Sequence, residues 1–334
     1  MPPKYSICLI GSGGVGTIAS LVLTKSPRAK VTVVLRSKYN YVSEHGWEID
    51  SIDHGQLAGW KPHRLVPLAA EAAADPETGE TVEYDYVVVA TKAIPGVISV
   101  AEVIAPVITA GKTTIVLIQN GIGIEDDVVA AYPGNSIMSS VSHIGSEIQA
   151  PNVVSQSGKD VSKMGAHLHT GVVDSASISR AREFVEMYAA GGASVCEFVL
   201  DIQRARWEKL LWNGTFNTVC ALLRMDVGEM QRSGGRESML VPMMWEIWAI
   251  AKADGHGLPD DIVSWMAYRL PDDCSYRPSM LLDLENGRAM EVEVILGNPL
   301  RKARQLGVQT PLMDAVYRLL LLEEWKVNQM SLTH

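Results

Sequence analysis

The chain has 334 residues, long enough for two domains and a sizeable core. Its formal net charge of −9 argues against a general nucleic-acid binder, which carries a basic patch, but leaves room for one basic pocket that takes a small anion. The apolar share is 47%, and no run of about eighteen apolar residues is present, so no membrane span is expected.

Residues 1–14 run into glycines after a few apolar positions, so no secretory signal is expected. Residues 6–10 then form a short apolar run, followed by glycines and a helical pattern from Val15 to Leu23. Further apolar, β-branched runs lie at 31–35, 86–90, 114–118 and 137–141. Continuous runs of this kind suit strands covered on both faces, hence a parallel sheet with helices between, here at 101–109 and 124–131. The segment 46–83 has the texture of extra short strands with a loop around 75–79. A helix at 177–190 and a last strand at 194–199 complete this part.

After Leu200 the strand-like runs stop. Helical patterns cover 202–223, 237–254, 262–270, 278–284, 292–306 and 311–326. Gly255 and Gly307 suit positions just past helix ends, and Thr310-Pro311 reads as a cap followed by a first helical residue. The domain boundary is therefore placed near residue 200.

Gly11, Gly13 and Gly16 make G-x-G-x-x-G directly after a strand and into a helix. The first glycine permits the turn, the second lets backbone approach a pyrophosphate, and the third lets helix and strand pack closely. The helix start offers free N–H groups to phosphates. Gly11, Ser12, Gly13, Gly14, Val15 and Gly16 are thus the expected cofactor cradle. Where an NAD-binding protein places an acid after its second strand, this chain reads Leu35-Arg36-Ser37-Lys38. Arg and Lys attract a 2′-phosphate that a carboxylate would repel, so the expected cofactor is NADPH/NADP+, held mainly by Arg36 and less by Lys38. Ligands of an open α/β sheet sit outside the carboxyl ends of its strands. Lys92 and Asn120 fall at such ends, as a cation and as a donor–acceptor.

In WEKLLWNGTFNTVCALL, Lys209, Asn213 and Asn217 recur every four residues and so share one helix face. Two Asn and Gly214 inside a helix each cost about 0.5–1 kcal/mol relative to Ala, so helix stability alone does not explain them. A desolvated lysine on such a face suits a general acid. Ser279 and Asp283 lie four apart after Pro278, and Glu291 opens the next helical pattern. Four cysteines (Cys8, Cys196, Cys220, Cys274) are scattered without metal-like spacing and read as thiols of a reducing, cytoplasmic compartment. His167 and His169 share a strand face, but without carboxylate or thiolate support no metal is expected.

The ordered set of GSGGVG, LRS, TKA, QNGIG, K-x3-N-x3-N, SM-x2-D and a Glu twelve residues after that Ser resembles the ketopantoate reductases (2-dehydropantoate 2-reductases) over nearly the whole chain. That family reduces ketopantoate to pantoate with NADPH on the route to pantothenate and coenzyme A. The resemblance implies an α/β Rossmann-type N-terminal domain, here 1–200, and an all-α C-terminal domain, here 201–334, resembling that of 6-phosphogluconate dehydrogenase. It implies that Lys209 protonates the ketone oxygen as hydride arrives from nicotinamide C4. It further implies that Glu291 engages the substrate hydroxyl and orders the site beside the cofactor. Asn213, Asn217 and Ser279 are implied to hold substrate, and Asn120 to contact both cofactor and substrate. The expected partner is a small-molecule 2-keto acid; a homodimer is open to the chain, and a nucleic acid or membrane is not expected.

The chain departs from the family pattern at Leu296, where Asn is common, and at ALLRMDVGE after Asn217. Several of its eight tryptophans, including Trp207, Trp212, Trp245, Trp248 and Trp265, suit a bulkier keto acid. Another 2-keto acid, or a non-catalytic NADPH-binding redox sensor, therefore stays open.

Overall fold

In the computed structural model, which describes residues 4–167 and 174–331 (backbone alone at 328, 330 and 331), the N-terminal part is rich in strands. They are β1 (Tyr5–Ile10), β2 (Ala29–Val34), β3 (Trp47–Ser51), β4 (Gly55–Trp60), β5 (Arg64–Val66) and β6 (Tyr86–Val89). There follow β7 (Thr114–Leu117), β8 (Ile137–His143), β9 (Ser146–Ala150), β10 (Val153–Gln156), β11 (Val161–Ala166) and β12 (Val195–Phe198). Contacts divide the described chain into two units. One holds residues 1–92, 98–119 and 125–202; the other holds 93–97, 120–124 and 203–334.

In the first unit an eight-stranded sheet runs β12-β11-β8-β7-β6-β1-β2-β5. The five neighbouring pairs from β5 to β8 are all parallel. Both faces of these strands are buried. Ile7, Leu9, Val31, Val33 and Val88 join the core that includes Ile18, Leu21, Phe184 and Tyr188. The alternate residues Cys8, Ile10, Val87, Val89, Ile115 and Leu117 are buried as well. Two-sided burial is why these runs read as continuous apolar stretches. On leaving β1 the chain turns to β2, while β6 pairs on the other side of β1, so the carboxyl end of β1 is a topological switch point.

Two expectations need correction. The sheet is mixed rather than wholly parallel, because β11 runs antiparallel to β8 and β12 runs parallel to β11. The half-exposed positions Val161 and Lys163 alternate with buried Ser162 and Met164, the one-sided pattern that antiparallel strands tolerate. In addition, β3, β4, β9 and β10 form a separate four-stranded sheet in the order β4-β3-β10-β9. Only its β3 and β4 lie in the segment where extra strands were expected. Asp75–Gly79 is a turn, with the Asp75 carboxylate accepting from the Glu77 and Thr78 N–H groups. The expected 101–109 helix is a short α-helix, Val100–Ile104, that tightens into a 3₁₀ turn at Ala105–Val107, where Pro106 sits.

The second unit is helical. Its first helix, Ile202–Trp212, passes through a π turn at Asn213–Asn217 into Thr218–Leu223. A helix not expected from the sequence, Val227–Arg232, opens on Asp226, whose carboxylate accepts from Glu229 N while the Glu229 carboxylate accepts from Asp226 N. A second π turn, Arg236–Leu240, leads into Val241–Ala253. Next come Ile262–Tyr268 and Ser279–Glu285, then a third π turn, Glu293–Gly297, ahead of Asn298–Leu306, and last Pro311–Ser331. The Glu246 carboxylate accepts from the N–H groups of Leu312 and Met313 and so caps that last helix. Trp207, Leu211, Phe216, Met243, Ile247, Leu296 and Leu320 are fully buried and form its core. Among the described residues no helix is long and apolar enough to cross a membrane.

Candidate active site

The glycine loop leaves the carboxyl end of β1 at the switch point. Gly11 has φ 97°, and a Cβ there would stand 2.6 Å from the Thr91 nitrogen. A Cβ on Gly16 would stand 2.0 Å from the Gly11 carbonyl oxygen, so helix and loop touch only because that residue is glycine. Gly13 differs: a Cβ there meets nothing within 4 Å, so backbone is open on that side. Gly14 is packed instead, its Cβ position 2.6 Å from the Ser146 carbonyl oxygen at the start of β9. The following helix, Gly14–Lys25, has no side-chain cap and no acid in its first turn. Its N–H groups and partial positive charge are left for an anion. The Ser12 hydroxyl is buried with no hydrogen-bond partner among the described residues. These features fit the pyrophosphate of a dinucleotide, with backbone N–H groups and Ser12 Oγ as donors.

Two residues past β2, Arg36 is exposed, and its guanidinium has no partner among the described residues. Lys38 is half-buried and directly precedes the short helix Tyr39–His45. Lys92 is half-buried three residues beyond β6. Beyond β7, the Gln119 amide donates to the Thr91 carbonyl at 2.9 Å, which ties two strand-end loops of the first unit together.

In the second unit the structure joins Lys209, Asn120 and Glu291. The Lys209 ammonium donates to Asn120 Oδ1 at 2.7 Å, and Asn120 Nδ2 donates to Glu291 Oε2 at 3.2 Å. Glu291 Oε1 accepts from the Ala93 N–H at 3.0 Å. Asn120 thus uses both ends of its amide: its oxygen aims the lysine and its nitrogen aims the carboxylate. The Lys209 pKa is lowered to about 8, first by loss of water around the ammonium and then by the Arg206 charge, with Glu291 pulling the other way. An amine that titrates near neutrality gives up a proton readily while staying mostly charged at pH 7.

Further along the helix, Asn213 and Asn217 are both 5% exposed. Asn217 Nδ2 donates to Asn213 Oδ1 at 3.2 Å and to Ser279 Oγ at 3.4 Å. The π turn matters here. Asn213 and Asn217 are its first and last residues, so the irregular backbone carries both amides. Between them Gly214 packs closely: a Cβ there would stand 2.7 Å from Ile247 Cδ1. Asp283, by contrast, pairs with Arg288 at 3.0 Å.

Sequence reasoning missed Arg206. It is 4% exposed, and its guanidinium donates to the Gly121 carbonyl at 3.0 Å. It lies three residues before Lys209, so the same helical spacing that found the asparagines could have found it. The 120–122 loop has two further fasteners: Ile122 N donates to the Val294 carbonyl at 2.9 Å, and Asn298 Nδ2 donates to the Ile122 carbonyl at 2.7 Å. Trp207 is fully buried and donates from its indole N–H to Asp254, whereas Trp245 and Trp265 are exposed.

A second constellation lies in the first unit. Ser139 Oγ is 2.6 Å from His167 Nε2, and His167 Nδ1 is 3.7 Å from Glu125 Oε1. The order is that of a nucleophile, base and acid, but Ser139 has zero exposure, so no substrate carbonyl reaches it. His169 lies outside the described residues. Among the described residues no group of three or more His, Cys, Asp or Glu is placed to hold a metal. Burial raises the thiols of Cys8, Cys196 and Cys220 to about 12, which leaves them inert.

A family model described as ketopantoate reductase PanE/ApbA matches residues 7–169, and its C-terminal companion matches residues 201–324. An uncharacterized protein of Saccharomyces cerevisiae is 36% identical over 97% of this chain and 94% of its own length. A 2-dehydropantoate 2-reductase of Nostoc sp. is 26% identical over 94% of this chain and 93% of its own. Among solved structures, 2-dehydropantoate 2-reductase from Methylococcus capsulatus superimposes with a TM-score of 0.81 at 31% identity, covering 96% of this chain and 97% of that one. A ternary complex of D-mandelate dehydrogenase with NADH and anilino(oxo)acetate shares the fold, with a TM-score of 0.83 at 21% identity over 97% and 99% of the two chains. With an α/β N-terminal unit, a helical C-terminal unit and both family models matched in order, this chain belongs to the ketopantoate reductase family and is an oxidoreductase of that kind.

Proposed function

We propose that the chain reduces a 2-keto acid with NADPH, and that the substrate is ketopantoate, reduced to pantoate. The observation that carries this reading is the Lys209–Asn120–Glu291 network, in which a lysine titrating at about 8 is aimed by an amide that a carboxylate holds in turn. A bound reduced nicotinamide supplies the hydride. Lys209 stabilises the negative charge that develops on the ketone oxygen and then gives it a proton, leaving a neutral amine that recovers its proton from water. Asn120 holds the ammonium in place, and Glu291, fixed by the Ala93 N–H, accepts from a substrate hydroxyl. Asn213, Asn217 and Ser279 offer donors to the remaining substrate oxygens.

Preference for NADPH is supported by the absence of an acid in residues 35–38 and by the exposed, unpartnered guanidinium of Arg36. The glycine loop with Ser12 would hold the pyrophosphate, Arg36 the 2′-phosphate, and Lys38 and Lys92 would add positive charge. A cytoplasmic location belongs to the same reading.

The test is a panel of branched and aromatic 2-keto acids ranked by kcat/KM with NADPH, alongside Lys209→Ala. Ketopantoate should lead the panel. Lys209→Ala should lose about 10²–10⁴-fold in kcat while binding NADPH as before. Another keto acid in first place keeps the chemistry and reassigns the substrate. Tight NADPH binding without turnover of any keto acid would leave a redox sensor, and unaltered turnover by Lys209→Ala removes the lysine from the reaction.

A further inference from the structure

The helix that carries Lys209 bears a second buried cation for which the reaction above has no direct use. We propose that Arg206 is a positioning residue of this site, one that pins the loop bearing Asn120 and faces Lys209 as a fixed like charge. The inference rests on the proposed role of Lys209 as the proton donor.

Two observations in the second unit support it. First, the guanidinium donates to the Gly121 carbonyl, one residue from the amide that receives the Lys209 ammonium. Gly121 is also packed closely on Val294. Its φ is 98°, and a Cβ at that position would meet Val294 Cβ at 2.6 Å. The loop is therefore clamped between the Ile202–Trp212 helix and the Glu293–Gly297 turn, and Arg206 is the clamp on the lysine's side. Second, Arg206 is 4% exposed, so water screens its charge weakly. Three residues before Lys209 on one helix, its charge cannot drift from the ammonium as it could on a flexible loop.

Two charged groups act on Lys209: Arg206 on its own helix and Glu291, two residues before the Glu293–Gly297 turn. They oppose one another. Glu291 alone would hold the proton on the amine, and Arg206 offsets that hold. A lysine facing only the carboxylate would be a well-anchored ammonium but a reluctant acid.

The test uses the full chain with ¹³Cε-labelled lysine, following the Lys209 ε-carbon signal by NMR against pH. The signal is assigned by its loss in Lys209→Met. Wild type is compared with Arg206→Met, which removes the charge and the bond, and with Arg206→Lys, which keeps the charge; Arg206→Gln replaces Arg206→Met should the latter fail to fold. In Arg206→Met the Lys209 midpoint should rise by about one pH unit, the size expected of a neighbouring like charge in a partly screened setting. In Arg206→Lys it should stay near the wild-type value. The alkaline limb of kcat for keto-acid reduction should move with the NMR midpoint. A midpoint unmoved in Arg206→Met, or moved equally in both variants, overturns the proposal. The titration needs no turnover, so a chain that reduces no keto acid would fail the functional reading while still reporting the effect of Arg206.

Discussion

Replacing Lys209 by Met should make the protein more stable while abolishing its proposed chemistry. Lys209 titrates at about 8 in the folded chain against 10.5 when unperturbed. That difference, at about 1.4 kcal/mol per unit, makes the charged lysine a burden of about 3 kcal/mol on the fold at pH 7. The sign follows from proton binding. Below pH 8 both states hold the proton, and the burden is present in full. Between about 8 and 10.5 the unfolded chain keeps its proton while the folded chain has lost it, so stability rises with pH, by at most about 1.4 kcal/mol per unit. Met has nearly the same length and no charge. It forfeits the bond to Asn120 Oδ1, worth about 1–2 kcal/mol, so a net gain of about 1–2 kcal/mol remains at pH 7. The assay is urea unfolding followed by circular dichroism at several pH values from 7 to 10.5. The variant should unfold at higher urea at pH 7, and the gap should close or reverse as pH rises. A variant less stable than wild type at pH 7, with a difference constant to pH 10.5, would refute the desolvation argument and with it the idea that this amine is poised to release a proton.

Two further outcomes test the nucleotide end of the reading. Arg36→Ala should leave NADH usage unchanged and raise KM for NADPH about tenfold or more, through loss of a charge-assisted contact to the 2′-phosphate; equal use of both cofactors by wild type would exclude Arg36 from the site. Gly13→Ala and Gly16→Ala should separate binding from folding. Gly13 faces open space, so its variant should keep the wild-type Tm and lose NADPH affinity, whereas Gly16→Ala pushes a methyl into the Gly11 carbonyl and should cost about 1–3 kcal/mol of stability. Calorimetry with and without NADPH reads both, and identical behaviour of the two variants would contradict the open-face geometry.

How much of this could be read from the chain alone varied with the range of the interaction. β1, β2, β6, β7 and β8 were legible because two-sided burial leaves a continuous apolar run. The small sheet was legible only as extra short strands within 46–83; its pairing was not, although β3 alternates buried and exposed residues over Trp47–Ser51. Its partner β10 pairs Glu48 with Val153, a contact over a hundred residues long that no local pattern encodes. β4 carries two glycines in six residues, and β9 is half exposed, so neither has the composition of a strand. In the site, Lys209, Asn213 and Asn217 announced themselves by spacing, because a helix turns fourfold spacing into a face. Arg206 escaped notice within the polar stretch IQRARWEK, where a buried arginine looks like any surface charge. That Gly121 packs on Val294, and that Glu291 is held by Ala93, depends on chain segments about 170 and 200 residues apart.

The irregularities of the helical unit gather around these same residues. A π turn exchanges good helical hydrogen bonds for a wider loop of backbone, so it persists only where surrounding packing enforces it. Of the three such turns described, one carries Asn213 and Asn217 and another begins two residues after Glu291, supplying Val294 to the back of Gly121. Each contains a closely packed glycine: a Cβ on Gly214 would press on Ile247 Cδ1, and one on Gly297 would press on the Glu293 carboxylate. Added to them are Gly121 at positive φ and a lysine held at a pKa of about 8 in the fold. Each of these features weakens a helical bundle, and stability alone favours none of them. Their convergence on Lys209, Asn120 and Glu291 supports the proposal that these residues form the working site rather than a set of polar residues that happen to be buried. An ordinary buried network would sit on regular helices.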